Sequence, residues 1–81
     1  MASRRLKLTI PTERVHEPII GTLARTYNVM PNIRMARISD DVGECVLELE
    51  GEDEDIESAI GYLGSLDVTV EPASRALWRR S

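Results

Sequence analysis

Two side chains of this 81-residue chain have the chemistry of a nucleophile and of its general base, since Cys45 and His16 are its only cysteine and only histidine. A thiol becomes a strong nucleophile when a base within hydrogen-bond reach takes its proton. The two residues belong to different predicted elements, His16 to the start of a helix and Cys45 to a strand. Cys45 also shares an apolar row with Leu47 and Leu49, as a small buried hydrophobe does. We therefore predict no catalytic pair.

Carboxylates gather in two stretches, residues 40–44 and 50–57. Neither stretch has the alternating ligands and terminal glutamate of an EF-hand loop, so we expect a solvated acidic surface. One cysteine cannot by itself supply a thiolate metal site or an iron–sulfur cluster. The sequence has no glycine-rich phosphate loop and no nucleophile elbow, and its serines and threonines have no nearby base. It predicts no catalytic residue, no metal site and no cofactor.

Charge and composition exclude several classes of protein. The 14 acidic and 10 basic residues leave a net charge of -4, which repels nucleic-acid phosphates. No apolar run approaches the roughly 20 residues that span a bilayer, and residues 1–7 lack the hydrophobic centre of a signal peptide. A single cysteine suits a reducing compartment. We expect a soluble cytoplasmic protein with no nucleic-acid partner and no membrane insertion.

The first half of the chain contains a strand pattern followed by a helix pattern. Apolar residues alternate over residues 5–10, which predicts a half-buried strand that Pro11 ends. Apolar residues then recur at helical spacing, which predicts an amphipathic helix from residue 16 or 17 to residue 27. Pro18 fits only in the first turn of that helix, and Asn28 is suited to cap its end.

The second half contains a hairpin, a helix and a last strand. Residues 32–39 follow a proline and read as an extended strand. A turn over residues 40–43 leads to a third strand over residues 45–50, so the two strands form a hairpin. Residues 53–63 combine an acidic first turn with helical apolar spacing, and residues 68–70 make a short fourth strand.

The order βαββαβ, with right-handed crossovers, predicts the ferredoxin-like α+β fold. This fold is a four-stranded antiparallel sheet in the order 4-1-3-2 with two helices on one face, and its other face is left to solvent or to a partner. We assign residues 1–81 to one domain, with a core over about residues 5–71 and a tail over residues 72–81. At one end of the sheet this topology brings Arg4, Arg5 and the arginines of the tail close to the acidic residues 50–57.

Several short stretches occur here in the order and spacing of a known family. They are Pro18-Ile19-Ile20, Asn28-Val29 ahead of Asn32-Ile33, Gly43 ahead of Val46-Leu47-Glu48-Leu49-Glu50-Gly51, and Ala59-Ile60-Gly61-Tyr62-Leu63 ahead of Val68-Thr69-Val70-Glu71. Over residues 6–71 the chain thereby resembles the NIL domain, the small ferredoxin-like module at the C-terminus of methionine-importer ATPases. It departs from the family in two ways: the Asn-Ile-Leu tripeptide is Asn32-Ile33-Arg34, and the stretch between the hairpin strands is shorter than in the transporter members.

The resemblance implies a non-enzymatic regulatory binding module that senses a small amino-acid-like ligand such as methionine. Asn32 matches the family's motif asparagine, and Met35 has a thioether that adapts to irregular apolar partners. The ligand-binding residues implied are Asn32, Ile33 and Met35. A homodimer that pairs along residues 32–38 would enclose such a ligand, although arginines on an edge strand act against pairing.

Two other functions remain open. A protein-interaction adaptor would dock on a separate protein partner through the sheet edge or the basic tail, with no small ligand, and its contact residues would be Arg34, Ile38 and Trp78. An acylphosphatase-like enzyme on the same fold would need a phosphate loop between the first strand and the first helix. Residues 11–15 contain no glycine for such a loop. The fold alone does not decide between these functions.

Overall fold

A computed structural model describes residues 1–39 and 42–73. The strands are β1 (Ala2–Pro11), β2 (Met30–Ile38), β3 (Val42–Gly51) and β4 (Thr69–Pro72), and the helices are α1 (Ile19–Thr26) and α2 (Asp53–Ser65). A short 3₁₀ turn (Thr12–Arg14) follows β1. The observed order of strands and helices is therefore the predicted βαββαβ.

The four strands form one antiparallel sheet in the order β2-β3-β1-β4. This is the predicted order 4-1-3-2 read from the opposite edge, so the predicted ferredoxin-like α+β fold is confirmed. β1 and β3 occupy the centre and pair over their whole lengths, from Ala2 opposite Gly51 to Pro11 opposite Val42. β2 and β4 are the two edges.

The hydrophobic core lies between the sheet and the two helices. Central strands contribute an alternating row that faces the helices, and both helices bury an apolar stripe against it, as period-two and period-3.6 patterns require. The buried members of this cluster are Leu6, Leu8, Ile19, Leu23, Val29, Cys45, Leu47, Leu49, Ile56, Ala59, Leu63 and Val68. The core is therefore aliphatic, which fits a chain that contains no phenylalanine.

Helix α1 begins at Ile19, two or three residues later than the apolar spacing predicts. Pro18 precedes the first helical residue with a ψ of 59°, which lies outside the helical region, instead of lying inside the first turn. A proline disfavours helical backbone at the residue before it, which here is Glu17. Steric restriction by Pro18 therefore overrides the amphipathic pattern ahead of it.

The predicted turn over residues 40–43 is wrong for its last two residues. Val42 and Gly43 belong to β3, where they pair with Pro11 and Ile10 of β1. A Cβ atom at Gly43 would lie 3.3 Å from Cγ2 of Val15, so the glycine serves close packing of the chain that follows β1. Residues 40–41 lie outside the described part of the chain.

Asn28 ends α1 as predicted, because its φ of 55° is in the left-handed region. Asparagine tolerates this region better than most residues, and it commonly follows the last turn of a helix. The turn directs the chain into Val29, which is buried, and then into β2. Asn28 thereby sets where the edge strand starts.

Candidate functional site

The sheet has one face that neither helix covers. In an antiparallel pair, residues directly opposite each other project to the same face, and the face alternates along each strand. Leu6 and Leu47 lie opposite each other and face the helices. The residues directly before and after each of them along its strand therefore face away from the helices. We call this second surface the open face. Its side chains on the three long strands are Ser3, Arg5, Lys7, Thr9, Pro11, Met30, Asn32, Met35, Arg37, Val42, Glu44, Val46, Glu48 and Glu50.

Charged side chains form a ladder across the open face. Nε of Arg5 lies 3.5 Å from a carboxylate oxygen of Glu48, and Nζ of Lys7 lies 3.4 Å from one of Glu44. All four side chains are partly exposed, so solvent screens these pairs. Between them Val46 is fully buried, although it is not part of the helix-side core. The aliphatic stems of long charged side chains can cover such a residue.

A β-bulge at Arg34 decides which β2 residues share the open face. Ile33 lies opposite Leu47, whereas Met35 lies opposite Val46, so two steps along β2 match one step along β3. In a regular strand Asn32 and Met35 would face opposite sides, since they are three residues apart. The bulge places both on the open face and leaves Ile33 on the helix side. Two of the three predicted ligand residues are therefore brought together.

Asn32 is the predicted ligand residue with a defined side-chain contact. Its Nδ2 donates a hydrogen bond of 2.6 Å to Oε1 of Glu50. The contact joins the edge strand to the central strand β3 at the end of the sheet where β2 begins. It presents a carboxamide next to a carboxylate, with Met35 further along the same face. Sequence reasoning missed Glu50, because the two residues are 18 positions apart and only the β2–β3 register makes them neighbours.

The free edge of β2 is apolar on the helix side. Ile33 is 50% exposed and Ile38 is 71% exposed, although both point to the face that carries α1. A shallow groove of about 140 Å³ runs beside them and is lined further in by Val15 and Ile20. Of the predicted partner residues, Ile38 and Arg34 are exposed on β2, whereas Trp78 lies outside the described residues. Exposed backbone and isoleucine side chains make this edge suitable for pairing.

A larger cleft lies where β2 starts and β3 ends. Its volume is about 470 Å³, within the range of small-molecule sites. The lining comes from the last turns of α1, from the residues that follow α1 and β3, and from the ends of the strands. Its members are Met1, Ala24, Asn28, Val29, Met30, Pro31, Glu50 and Glu52. None of the predicted ligand residues lines it, but the hydrogen-bonded pair of Asn32 and Glu50 connects the cleft to the open face. The sequence carries no local signal for this cleft, because turns far apart in the chain build it.

Cys45 and His16 take the places expected for non-catalytic residues. Cys45 is buried in the helix-side core, and this burial raises the pKa of its thiol from the ordinary value of 9.0. The thiol therefore stays protonated and weakly nucleophilic at neutral pH. His16 is exposed in the turn ahead of α1.

Two further features of residues 1–39 and 42–73 bear on function. In these residues, no cluster of three or more histidine, cysteine, aspartate or glutamate side chains could hold a metal ion. Neither of the described helices is long and apolar enough to cross a membrane.

Comparison with known proteins gives a consistent family assignment. A family model, the NIL domain, matches residues 4–72. Two similar curated proteins are named methionine import ATP-binding protein MetN. The protein of Myxococcus xanthus is 31% identical over 77 residues, which are 90% of this chain and 23% of the relative. The protein of Lacticaseibacillus paracasei is 31% identical over 72 residues, 84% of this chain and 21% of the relative. The chain thus spans less than a quarter of the length of these relatives.

A solved structure has the same fold. It is the crystal structure of the C-terminal domain of an ABC transporter / ATP-binding protein from Enterococcus faecalis, with a TM-score of 0.76 and 26% sequence identity. The match covers 89% of this chain and 84% of that chain. The likeness therefore extends over nearly all of both molecules.

Proposed function

This chain belongs to the NIL domain family, and from that membership we propose that it is a non-enzymatic, cytoplasmic regulatory module that binds a small amino-acid-like ligand. Its relatives are methionine import ATP-binding proteins, which makes methionine the first ligand to consider. The observation that carries the proposal is the pairing of Asn32 with Glu50 on the face that also holds Met35.

The chemistry of these three side chains suits an α-amino acid. A carboxylate such as Glu50 can accept charge-assisted hydrogen bonds from an α-ammonium group. The Asn32 carboxamide has two N–H donors, of which one is used by Glu50, so the other suits an α-carboxylate oxygen. Met35 offers a flexible thioether to an apolar side chain of the ligand. Ile33 faces the other side of β2 and would contact the ligand only across the strand edge.

The proposed ligand site needs a second copy of the chain to enclose it. A free amino acid has few atoms, and tight binding by so small a ligand requires contacts on most of its surface. Neither helix covers the open face, and β2 has a free edge with exposed Ile33 and Ile38. We propose a homodimer paired along β2, in which side chains of the second subunit's edge strand lie beside Asn32 and enclose the ligand from the edge of the sheet. A monomer at high concentration in light scattering would contradict this part of the proposal.

Thermal unfolding with and without L-methionine tests the ligand. A ligand at 100 times its dissociation constant adds about 2.7 kcal/mol to the free energy of unfolding. In a chain of this size that corresponds to a rise in Tm on the order of 10 °C. We expect such a rise with methionine and none with leucine. The absence of a shift with any amino acid would contradict ligand sensing.

The variant Asn32→Ala tests the site itself. We expect it to abolish the methionine-dependent rise in Tm and to leave the unliganded Tm within a few degrees, because Asn32 is exposed. The matched control is Thr69→Ala, which removes a polar side chain from an exposed position on the same face at the other edge of the sheet. It should retain the full rise. An unchanged rise in Asn32→Ala would remove Asn32 from the site.

A second candidate function is a protein-interaction adaptor, and the exposed isoleucines of β2 favour it. In this role Arg34 and Ile38, with Trp78 of the tail, would contact a separate protein partner by extending the sheet. The adaptor predicts no change in Tm with any amino acid and a loss of partner binding in Ile38→Asp. Ligand sensing instead predicts that methionine raises the Tm.

A further inference from the structure

An α-amino acid presents two charged groups, and the proposed site names an oppositely charged partner for only one of them. Glu50 supplies the negative charge that suits an α-ammonium group. For the α-carboxylate, the site offers the neutral carboxamide of Asn32. A carboxylate that lies close to Glu50 is repelled unless a cation compensates. The site therefore needs a cation that is free to bind a carboxylate.

Three of the open-face side chains named above are cationic, and two of them already lie beside carboxylates. Arg5 lies 3.5 Å from Glu48, and Lys7 lies 3.4 Å from Glu44. The third is Arg37, which is exposed. Its side chain makes no ion pair or hydrogen bond with any residue in the described part of the chain. Arg37 is thus the open-face cation that suits a ligand carboxylate.

Arg37 and Asn32 lie far apart within one chain. They lie opposite Glu44 and Glu48 of β3, and four residues of an antiparallel strand span about 14 Å. Side chains of a strand stand roughly perpendicular to the sheet, so two residues at this separation are poorly placed to share one small ligand. Both residues project to the open face. A second copy of β2 that runs antiparallel alongside the first reverses their order and can bring Arg37 to Asn32.

The faces of the two sheets limit the register of such a strand pair. In a two-fold antiparallel pair, the residue numbers of opposite partners have a constant sum, and opposite residues project to the same face. The bulge at Arg34 gives β2 even-numbered open-face residues before it and odd-numbered ones after it. Only an odd sum therefore matches the faces across the bulge. The two odd sums that pair nearly all of β2 place Arg37 of one copy opposite Asn32 or opposite Met30 of the other.

Both registers place Arg37 of the partner subunit beside the candidate ligand residues. Asn32 donates its hydrogen bond to Glu50, and Met30 lies directly opposite Glu50 on β3. Two strand spacings, about 10 Å, then separate Glu50 from the partner's Arg37. Side chains that lean toward each other over β2 leave room for the few atoms between an α-ammonium group and an α-carboxylate. Two-fold symmetry gives each dimer two such sites.

We infer that Arg37 of the partner subunit binds the α-carboxylate of an amino acid whose α-ammonium group is bound by Glu50. The inference rests on the proposed function and deepens it, because it restricts the ligand class to α-amino acids with a free carboxylate. A planar guanidinium can donate two parallel N–H bonds to a carboxylate, so it selects this group by both charge and shape. Neither copy contains a complete site by itself.

Calorimetric titration with L-methionine and L-methioninamide measures the role of Arg37. At slightly acidic pH both ligands keep a protonated α-amino group, but the amide lacks the negative charge. The unmodified chain should bind the amide about tenfold or more weakly than methionine. In Arg37→Met the affinity for methionine should fall to that for the amide. The matched control Arg25→Met removes the same charge from an exposed position on α1 and should retain the preference for methionine.

The outcomes of this titration separate the inference from the proposed function. A lack of methionine binding by the unmodified chain would overturn both. An unchanged affinity for methionine in Arg37→Met would overturn the inference alone and leave the proposed function in place. An equal loss of affinity for the two ligands would mean that Arg37 supports the dimer instead of the carboxylate, and it too would overturn the inference.

Mixed dimers test whether the arginine acts from the second copy. Asn32→Ala and Arg37→Met should each bind methionine weakly as homodimers. When each site uses Asn32 of one chain and Arg37 of its partner, a mixed dimer has one site with both substitutions and one site with neither. Joint refolding makes about half of the dimers mixed, so about a quarter of the sites should regain full affinity. Recovery of no sites would place both residues in the same chain and overturn the inference.

Discussion

The two faces of the sheet bury side chains by different means. On the helix side, Leu47 and Leu49 are fully buried because α1 and α2 lie over them. On the open face, Val46 is also fully buried although neither helix covers it, and its neighbours across the strands are Lys7 and Met35. Low exposure alone therefore does not identify the core of this protein.

The difference lies in what would fill the space if the buried side chain were shortened. Helices hold the helix-side core in place, so a truncated leucine leaves a cavity that relaxes only in part. The charged side chains on the open face are partly exposed and can move, so they can close a gap or admit water. We expect equal burial to give unequal stability on the two faces.

The largest effect should come from Leu47→Ala on the helix side. Truncation of a fully buried leucine costs about 2–5 kcal/mol, which is a large share of the stability of so small a domain. Urea denaturation should show this loss, while Thr69→Ala, at an exposed position of β4, should cost under about 0.5 kcal/mol. A loss below about 1 kcal/mol for Leu47→Ala would mean that the helices collapse readily onto the gap.

An intermediate effect should come from Val46→Ala on the open face. Two buried carbon atoms are lost, which corresponds to about 1.6 kcal/mol at most by transfer free energy alone. The control Ile38→Ala removes more atoms from a side chain that is 71% exposed and should cost under about 0.5 kcal/mol. A cost for Val46→Ala as large as for Leu47→Ala would show that the open face is as rigid as the core.

The smallest effect should come from the ion pair of Lys7 and Glu44. A double-mutant cycle over Lys7→Met and Glu44→Gln should give a coupling energy of about 0.2–1 kcal/mol that falls at 1 M salt. The same cycle on Arg14 and Glu17, an i,i+3 pair at 3.0 Å, is the control for a pair outside the sheet. A coupling well above 1 kcal/mol that resists salt would mean that the open face excludes water.

Much of the fold could be predicted because its signals are local. The alternation around Leu6 and Leu8 predicted a strand whose apolar row is buried, and the acidic first turn with Ile56 predicted α2. Asn28 predicted the end of α1 because left-handed backbone selects few residue types. Elements with a clear period and a suitable end residue were thus recognisable without the tertiary structure.

The candidate site was only partly predictable. The chemistry of Asn32 and Met35 and the resemblance to a family predict these two residues, and both lie on one face of the sheet. That arrangement depends on the bulge at Arg34, which the alternation of the strand does not signal. Glu50 became a neighbour of Asn32 through pairing between strands, which no window of the sequence contains.

By itself, the sequence determined the order of the elements, the aliphatic character of the core and the acidic start of α2, since each follows from neighbouring residues and their period. The tertiary structure alone decided the face of Met35, the burial of Val46 and the cleft beside Glu52. These three depend on the register between strands and on turns that meet from distant parts of the chain. A shift of one residue in that register would exchange the two faces of a strand without any change in its local pattern.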